Sequence, residues 1–162
     1  MKTINQEDFT TALSILFRET FEGMPTAEEQ VYLAHDAGIF ATLGKISAEE
    51  ASTEINGVTI AAHGEHARFY VELLDNYMNR DMRVVDFKQS WRVTNVSENE
   101  WDDLRENLSK VYRKTSETFV KNEIWDLDTI TVAMGIVAHT AYHLSAIRQI
   151  AKNFRKSQNS ER

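Results

Sequence analysis

The residues of this chain with the clearest chemical potential are His139 and His143, four positions apart in the stretch VAHTAYHLSAIRQI. On an α-helix such residues differ by about 40° around the axis, so both imidazoles point the same way, one turn apart. Apolar Ile136 and Ile147 share their stripe, which therefore faces the core. Buried imidazoles need partners for their nitrogens, and a metal ion satisfies both at once. The spacing alone leaves two readings open, a metal site or structural histidines.

A third histidine is available in a second amphipathic stretch, VTIAAHGEHARFYVELLDNYM. His66 lies on the apolar stripe of this stretch and is expected to face the same core. His63 lies about 60° away around the helix and is the competing candidate for the third ligand. Because the stripe continues more strongly from His66, we choose His66. We expect His63 at the surface or behind a ligand that it orients, and His35 in support of a turn or short helix.

The predicted metal site is therefore made of His66, His139 and His143. Three histidines leave coordination positions open for water or substrate, which is typical of catalytic sites. Imidazole suits one divalent Zn, Ni or Fe ion, and the sequence does not choose among them. The chain has no cysteine, no HExxH motif and no ExxH motif, so thiolate sites, common zinc proteases and di-iron bundles are excluded. The structural alternative is that tyrosine hydroxyls or backbone carbonyls satisfy these histidines, the tyrosines being Tyr70, Tyr77 and Tyr142.

Four long stretches of helical periodicity must position these residues. They cover residues 6–22 and 58–79, a stretch that begins at Ser97, and one that begins near 126–128 and frays from about 154. Capping boxes support the third helix and short helices in the connection between the first two. These boxes are Ser97 with Glu100, Thr26 with Glu29, and Ser47 with Glu50. This pattern predicts that residues 1–162 form one all-α domain, a four-helix bundle with short additional helices in the long connection between the first and second helices.

The other long connection, RDMRVVDFKQSWRVTNV, contains Phe87 and Trp91 outside any helical period. We expect it to fold over the bundle and to bury these aromatic rings, and the alternative is that they cover a pocket at the metal end. Glu65, Glu72 and Asp75 lie off the histidine stripe, and we expect them on a solvated face.

The charge balance excludes some classes of partner. With a net charge of −7 and no cluster of Lys and Arg before the tail NFRKSQNSER, a nucleic-acid surface is not expected. No apolar run near 18 residues is evident for a membrane span, and MKTINQEDFT lacks the apolar core of a signal peptide. We expect a cytoplasmic protein that binds neither nucleic acid nor membrane.

Several segments together resemble the DinB/YfiT-like superfamily of metalloenzymes. They are TIAAHGEHARFYVELL, AHTAYHLSAIRQI, DAGIFATLGKISAEEAS, DFKQSW and VSENEWDDLRENLSKVY, and they cover most of the chain. The resemblance implies a four-helix bundle, often a homodimer, with one histidine of the second helix and two of the fourth on a divalent ion. In this chain these would be His66, His139 and His143. The family often has glycine two residues after the last histidine, where this chain has Ser145.

The resemblance also implies a reaction, because members of this superfamily include thiol S-transferases and a thiol-dependent isomerase. It predicts a small-molecule substrate, a low-molecular-weight thiol as cosubstrate, and S-transfer or related hydrolysis. A metal ion lowers the pKa of a coordinated thiol or water, which suits a chain without cysteine. Arg148 or Tyr142 could assist the reaction. The alternative is a non-enzymatic homodimeric bundle, stress-related or binding a metal or small molecule, that keeps its histidines without turnover.

Overall fold

The computed structural model describes residues 5–160, and within them the chain is all-helical. It has no strand there, apart from an isolated bridge between Ile55 and Val58. The elements are α1 (Gln6–Glu22), a 3-10 turn (Ala27–Glu29), α2 (Ile39–Leu43), α3 (Ala48–Ser52), α4 (Ile60–Met78), a 3-10 helix (Phe87–Trp91), α5 (Glu98–Lys121) and α6 (Leu127–Ser160). The all-α class is thus confirmed, and the four long helices begin within two residues of their predicted starts.

Two of the three predicted capping boxes are present. Ser47 begins α3 and Ser97 begins α5, and in both the serine side chain and the glutamate three residues later accept the backbone N–H groups that the box requires. Thr26 makes no such bond, and only one 3-10 turn follows it. The capping box predicted there is wrong because the chain beyond Glu29 is held by backbone hydrogen bonds to a side chain of α1, so the turn does not continue as an α-helix.

Glu19 is the side chain of α1 that holds this connection. It is fully buried, and its Oε1 atom accepts hydrogen bonds from the backbone N–H groups of Val31, Tyr32 and Leu33 at 2.9, 3.1 and 3.0 Å. Three backbone donors replace the water that the carboxylate loses on burial. Glu19 therefore fastens the connection that leads to α2 to α1, together with a hydrogen bond between the hydroxyl groups of Thr20 and Tyr32.

The long helices pack against one another through α4. This helix contacts both α5 and α6, and α1 also contacts both. At Gly64 the approach of α4 to α5 is close, since a Cβ atom there would lie 3.2 Å from Leu104 Cδ2. The buried indole of Trp101 donates to the Ile46 carbonyl oxygen at 2.8 Å, which joins α5 to the segment between α2 and α3. Two faces of α4 are thus covered by neighbouring helices.

This double coverage corrects one sequence prediction. Asp75 was expected on a solvated face, but it is fully buried, and its Oδ2 atom lies 2.8 Å from Lys114 Nζ on α5. Glu65 and Glu72 instead pair with Arg68 of the same helix, at 2.8 and 2.6 Å. Asp75 lies on the side of α4 that α5 covers, which a single apolar stripe does not reveal.

The last helix, α6, is the longest of the helices in residues 5–160 and packs against α4 and α1. Asp126 caps its first turn by accepting a hydrogen bond from the Thr129 backbone N–H. The chain of α6 is helical beyond 154, and fraying of these last turns stays a prediction. Contrary to expectation, Leu127–Gln158 is long and apolar enough to cross a membrane. That is a weak indication, because the core helix of a soluble protein meets the same criterion. The cytoplasmic location therefore also stays a prediction.

We predict that Glu19→Ala lowers the free energy of unfolding by about 2–4 kcal/mol, because three backbone donors lose their acceptor. Glu19→Gln keeps one acceptor oxygen and should lose less. Glu28→Ala, in the same connection but exposed, is the matched control and should change little. Urea unfolding followed by circular dichroism measures all three. Equal stability of Glu19→Ala and Glu28→Ala would show that the carboxylate does not hold the connection.

Candidate metal centre

The structure brings His66 of α4 together with His139 and His143 of α6. One ring nitrogen of each lies within 4.8 Å of those of the other two, and the group could hold a metal ion. The Nε2 atoms of His139 and His143 are 3.2 Å apart. Two imidazoles bound to one ion at about 2.1 Å would have nitrogens about 3.0–3.4 Å apart, so this separation fits shared coordination. That the group does hold an ion stays a prediction.

Ser90, in the 3-10 helix Phe87–Trp91, fixes the ring of His66. This serine is fully buried, and its hydroxyl donates to the Phe87 carbonyl oxygen at 2.7 Å. Its oxygen is then the acceptor for His66 Nδ1, which lies 2.9 Å away. The proton of His66 is thereby held on Nδ1, and Nε2 keeps a lone pair for an ion. Sequence reasoning missed Ser90, because a polar residue in a segment without helical period carries no signal of burial.

His63 plays the corresponding part for His143. Its Nδ1 atom lies 2.8 Å from His143 Nδ1. When His143 donates its Nδ1 proton to His63, His143 Nε2 is left with its lone pair. The expectation that His63 lies at the surface is wrong, because it is buried on a helix covered on two faces. The alternative expectation, that it orients a ligand from behind, agrees with this contact.

The histidines of the group are uncharged at neutral pH. Burial, followed by the neighbouring His139, His66 and His63, lowers the pKa of His143 to about 3. Burial, followed by His139 and His63, lowers the pKa of His66 to about 4. Burial likewise lowers the pKa of His139. Neutral imidazole is the form that binds metal, so an ion could bind to these histidines without first displacing a proton from them.

No carboxylate belongs to this group within residues 5–160. Three neutral ligands would leave the charge of a divalent ion uncompensated. A further ligand that is itself anionic, such as a thiolate or hydroxide, would therefore be favoured. The donor set fits a borderline transition metal better than Mg(II) or Ca(II), which prefer oxygen.

Aromatic rings border the histidines on one side. Trp91 stacks on His66 with ring centroids 4.0 Å apart, and Tyr70 stacks on His139 at 4.3 Å. Phe87 and Trp91 remain 50% and 40% exposed, so the expected burial of both rings is wrong. Ser90 is the residue that this 3-10 helix buries. Trp91 instead lies over the histidine group, which was the alternative expectation.

The other candidate residues lie outside the group. Tyr142 meets the His143 ring edge-on at 5.0 Å but is largely exposed. Arg148 is exposed and lines a groove that contains none of the three histidines. His35 Nδ1 donates to the Met24 carbonyl oxygen at 2.7 Å and so supports the turn there, as predicted.

The structural alternative for the histidines finds little support in the hydrogen bonds. In the part of the chain that the structure describes, no hydroxyl of Tyr70, Tyr77 or Tyr142 bonds to a histidine of the group. The partners are Ser90 and other histidines. His139 Nδ1 is buried without any hydrogen-bond partner. Ser90 and His63 thus partner one nitrogen each of His66 and His143, and one nitrogen of each of the three rings lies within 4.8 Å of those of the other two.

Comparisons with known proteins leave the family open. No protein-family model, curated protein or solved structure matches this chain. The resemblance to the DinB/YfiT-like superfamily therefore stays a prediction that rests on the sequence motifs.

We predict that Ser90→Ala weakens Zn(II) binding about 10–100-fold, because His66 loses the acceptor that fixes its proton and its orientation. Competition with a chromophoric chelator measures the affinity. Ser145→Ala is the matched control, since Ser145 is an exposed serine of α6 near His143, and it should keep the original affinity. Ser90→Thr retains the hydroxyl and should recover most of the loss. Unchanged affinity in a folded Ser90→Ala protein would refute this role.

Proposed function

We propose that this protein is a four-helix bundle of the DinB type that binds one divalent transition metal through His66, His139 and His143. The observation that carries the proposal is the convergence of three neutral imidazoles within 4.8 Å, from two helices. Two of them also have a partner for the nitrogen that faces away from the group. Outer partners of this kind are typical of metal-ligating histidines. The packing of α4 and α1 against both α5 and α6 supports the bundle.

The reaction that fits best is transfer of a low-molecular-weight thiol to an electrophilic small molecule, or a related hydrolysis. The chain has no cysteine, and the histidine group includes no carboxylate in residues 5–160, so neither a protein thiol nor a carboxylate base is at hand. A divalent ion held by His66, His139 and His143 would lower the pKa of a coordinated thiol or water. In S-transfer the sulfur bonds to the electrophilic carbon, the leaving group departs with the electron pair of its bond, and the thiol proton passes to water.

The protein's own residues prepare the site for this reaction. Ser90 and His63 hold the Nδ1 protons of His66 and His143, so the lone pairs stay on Nε2. Trp91 and Tyr70 stack on the imidazoles and exclude water from one side of them. Because Trp91 also keeps an exposed edge, an organic substrate could stack against it as it approaches.

The competing proposal is a bundle that binds a metal or small molecule without turnover, as a stress-related protein would. It is supported by the lack, among the described residues, of a carboxylate within the group that could act as acid or base. Metal binding is common to both proposals, and only turnover separates them.

We predict that untagged protein incubated in turn with Zn(II), Ni(II) and Fe(II) retains one equivalent of at least one of these ions. The triple variant His66→Ala/His139→Ala/His143→Ala should retain none, because all three ligands are lost. His35→Ala is the matched control and should bind like the original protein. Metal analysis after gel filtration measures the content. Absence of stoichiometric metal in the original protein would refute the proposal.

A screen of low-molecular-weight thiols with an electrophilic bimane acceptor then tests turnover on the metal-loaded protein. We expect thioether formation that His143→Ala reduces at least about 100-fold. A loaded protein without any turnover would favour the non-enzymatic bundle, and a rate unchanged by His143→Ala would exclude metal-assisted transfer.

A homodimer is part of this proposal and is supported by an exposed stripe on α6. Leu127, Met134 and Tyr142 share one side of this helix, and more than half of each is exposed. Burial of such a stripe against a second copy would stabilise the pair.

We predict that light scattering shows a dimer, and that the double variant Met134→Lys/Tyr142→Lys is a monomer because it places charge on this stripe. Val120→Lys, at an exposed apolar residue of α5, should leave the dimer intact. A monomeric original protein would refute the dimer.

A further inference from the structure

A groove with a volume of about 450 Å³ lies between the C-terminal half of α6 and the segments around α2. It shares no residue with the histidine group. Its basic side chains are Lys45, Arg148, Lys152, Arg155 and Lys156. Five of the 18 lysines and arginines of a chain with net charge −7 therefore line one groove.

The fold assembles this basic groove from distant parts of the chain. Arg148, Lys152 and Arg155 follow one another at helical spacing, so they share a face of α6. Lys45 comes from the segment between α2 and α3, more than 100 residues earlier in the chain. Arg155 Nη2 donates to the Lys45 backbone oxygen at 3.4 Å, which joins the two walls. The groove is thus formed by tertiary packing and not by a basic run of sequence.

Two of the basic side chains, Arg148 and Lys152, are not compensated by an ion pair among residues 5–160. Asp36 is the one acid in the lining of the groove, and Glu50 lies 3.9 Å from Arg155 Nε. Like charges four residues apart on a helix repel each other. In a chain rich in acids, such a cluster is stabilised when an anion binds to it.

We propose that this groove binds a small phosphorylated molecule. Its volume lies in the range of small-molecule sites. Guanidinium groups such as those of Arg148 and Arg155 match phosphate oxygens in a bidentate way, and lysines add point charges. Apolar Ala34, Ile46 and Ala151 provide a surface for an organic portion. The chemistry recognised is a phosphate ester or diphosphate that carries a small apolar body.

The test uses isothermal titration calorimetry of the full chain with inorganic pyrophosphate as the probe. We expect saturable binding that weakens as NaCl rises, and that Arg148→Gln/Lys152→Gln weakens at least about tenfold. The matched control, Lys110→Gln/Arg113→Gln on α5, removes the same charge elsewhere and should keep the affinity. Circular dichroism checks that both variants fold, and the zinc content of both should equal that of the original protein.

Two results would overturn this inference. The first is no saturable heat with pyrophosphate at low salt, and in that case binding of single-stranded DNA would show that the groove takes a long polyanion instead. The second is an equal loss in both double variants, which would indicate only the overall charge. Because the groove variants do not touch the histidine group, failure of anion binding with normal zinc content leaves the metal proposal unaffected.

Discussion

Four imidazole rings, those of His63, His66, His139 and His143, lie between α4 and α6, and the rest of the site depends on how their nitrogens are kept uncharged and partnered. A buried charge there would cost several kcal/mol, a large share of the stability of a domain. Ser90 supports His66 and His63 supports His143, whereas His139 Nδ1 is buried without a hydrogen-bond partner. One nitrogen each of His66, His139 and His143 converges on a single place, where one ion could satisfy the three together.

The helices and the convergence of the histidines could be predicted from the sequence because both depend on local periodicity. A capping box or an apolar stripe depends on residues only a few positions apart, as Ser97 and the His139–His143 pair illustrate. The two wrong predictions on α4 have one physical origin. Asp75 and His63 lie on faces of α4 that other helices cover, and a stripe analysis assumes one buried face. How many neighbours a helix has is decided by tertiary packing, which the sequence of that helix does not contain.

The segments between helices carry the least local signal and the most specific contacts. Ser90 reaches His66 only because a 3-10 helix turns its hydroxyl inward while leaving Phe87 and Trp91 partly exposed. Glu19 likewise has no sequence feature that marks it as the acceptor for three backbone N–H groups far along the chain. In both cases a polar residue is buried because its partners lie in another element, and hydrophobicity alone would have placed it at the surface.

Acidic side chains are scarce both in the histidine group and in the basic groove. The chain is acidic overall, yet the histidine group includes no carboxylate in residues 5–160, and the basic groove has a single acid in its lining. The basic groove would attract anions through its fixed cations, and the histidine group would do so with a divalent metal ion bound. Since Arg148 follows His143 by five residues, about 7.5 Å along the axis of α6, one rigid helix positions both. An anion in the groove would offset repulsion within α6 without contact with the histidine group, because the two share no residue, so the two proposed sites would be occupied independently.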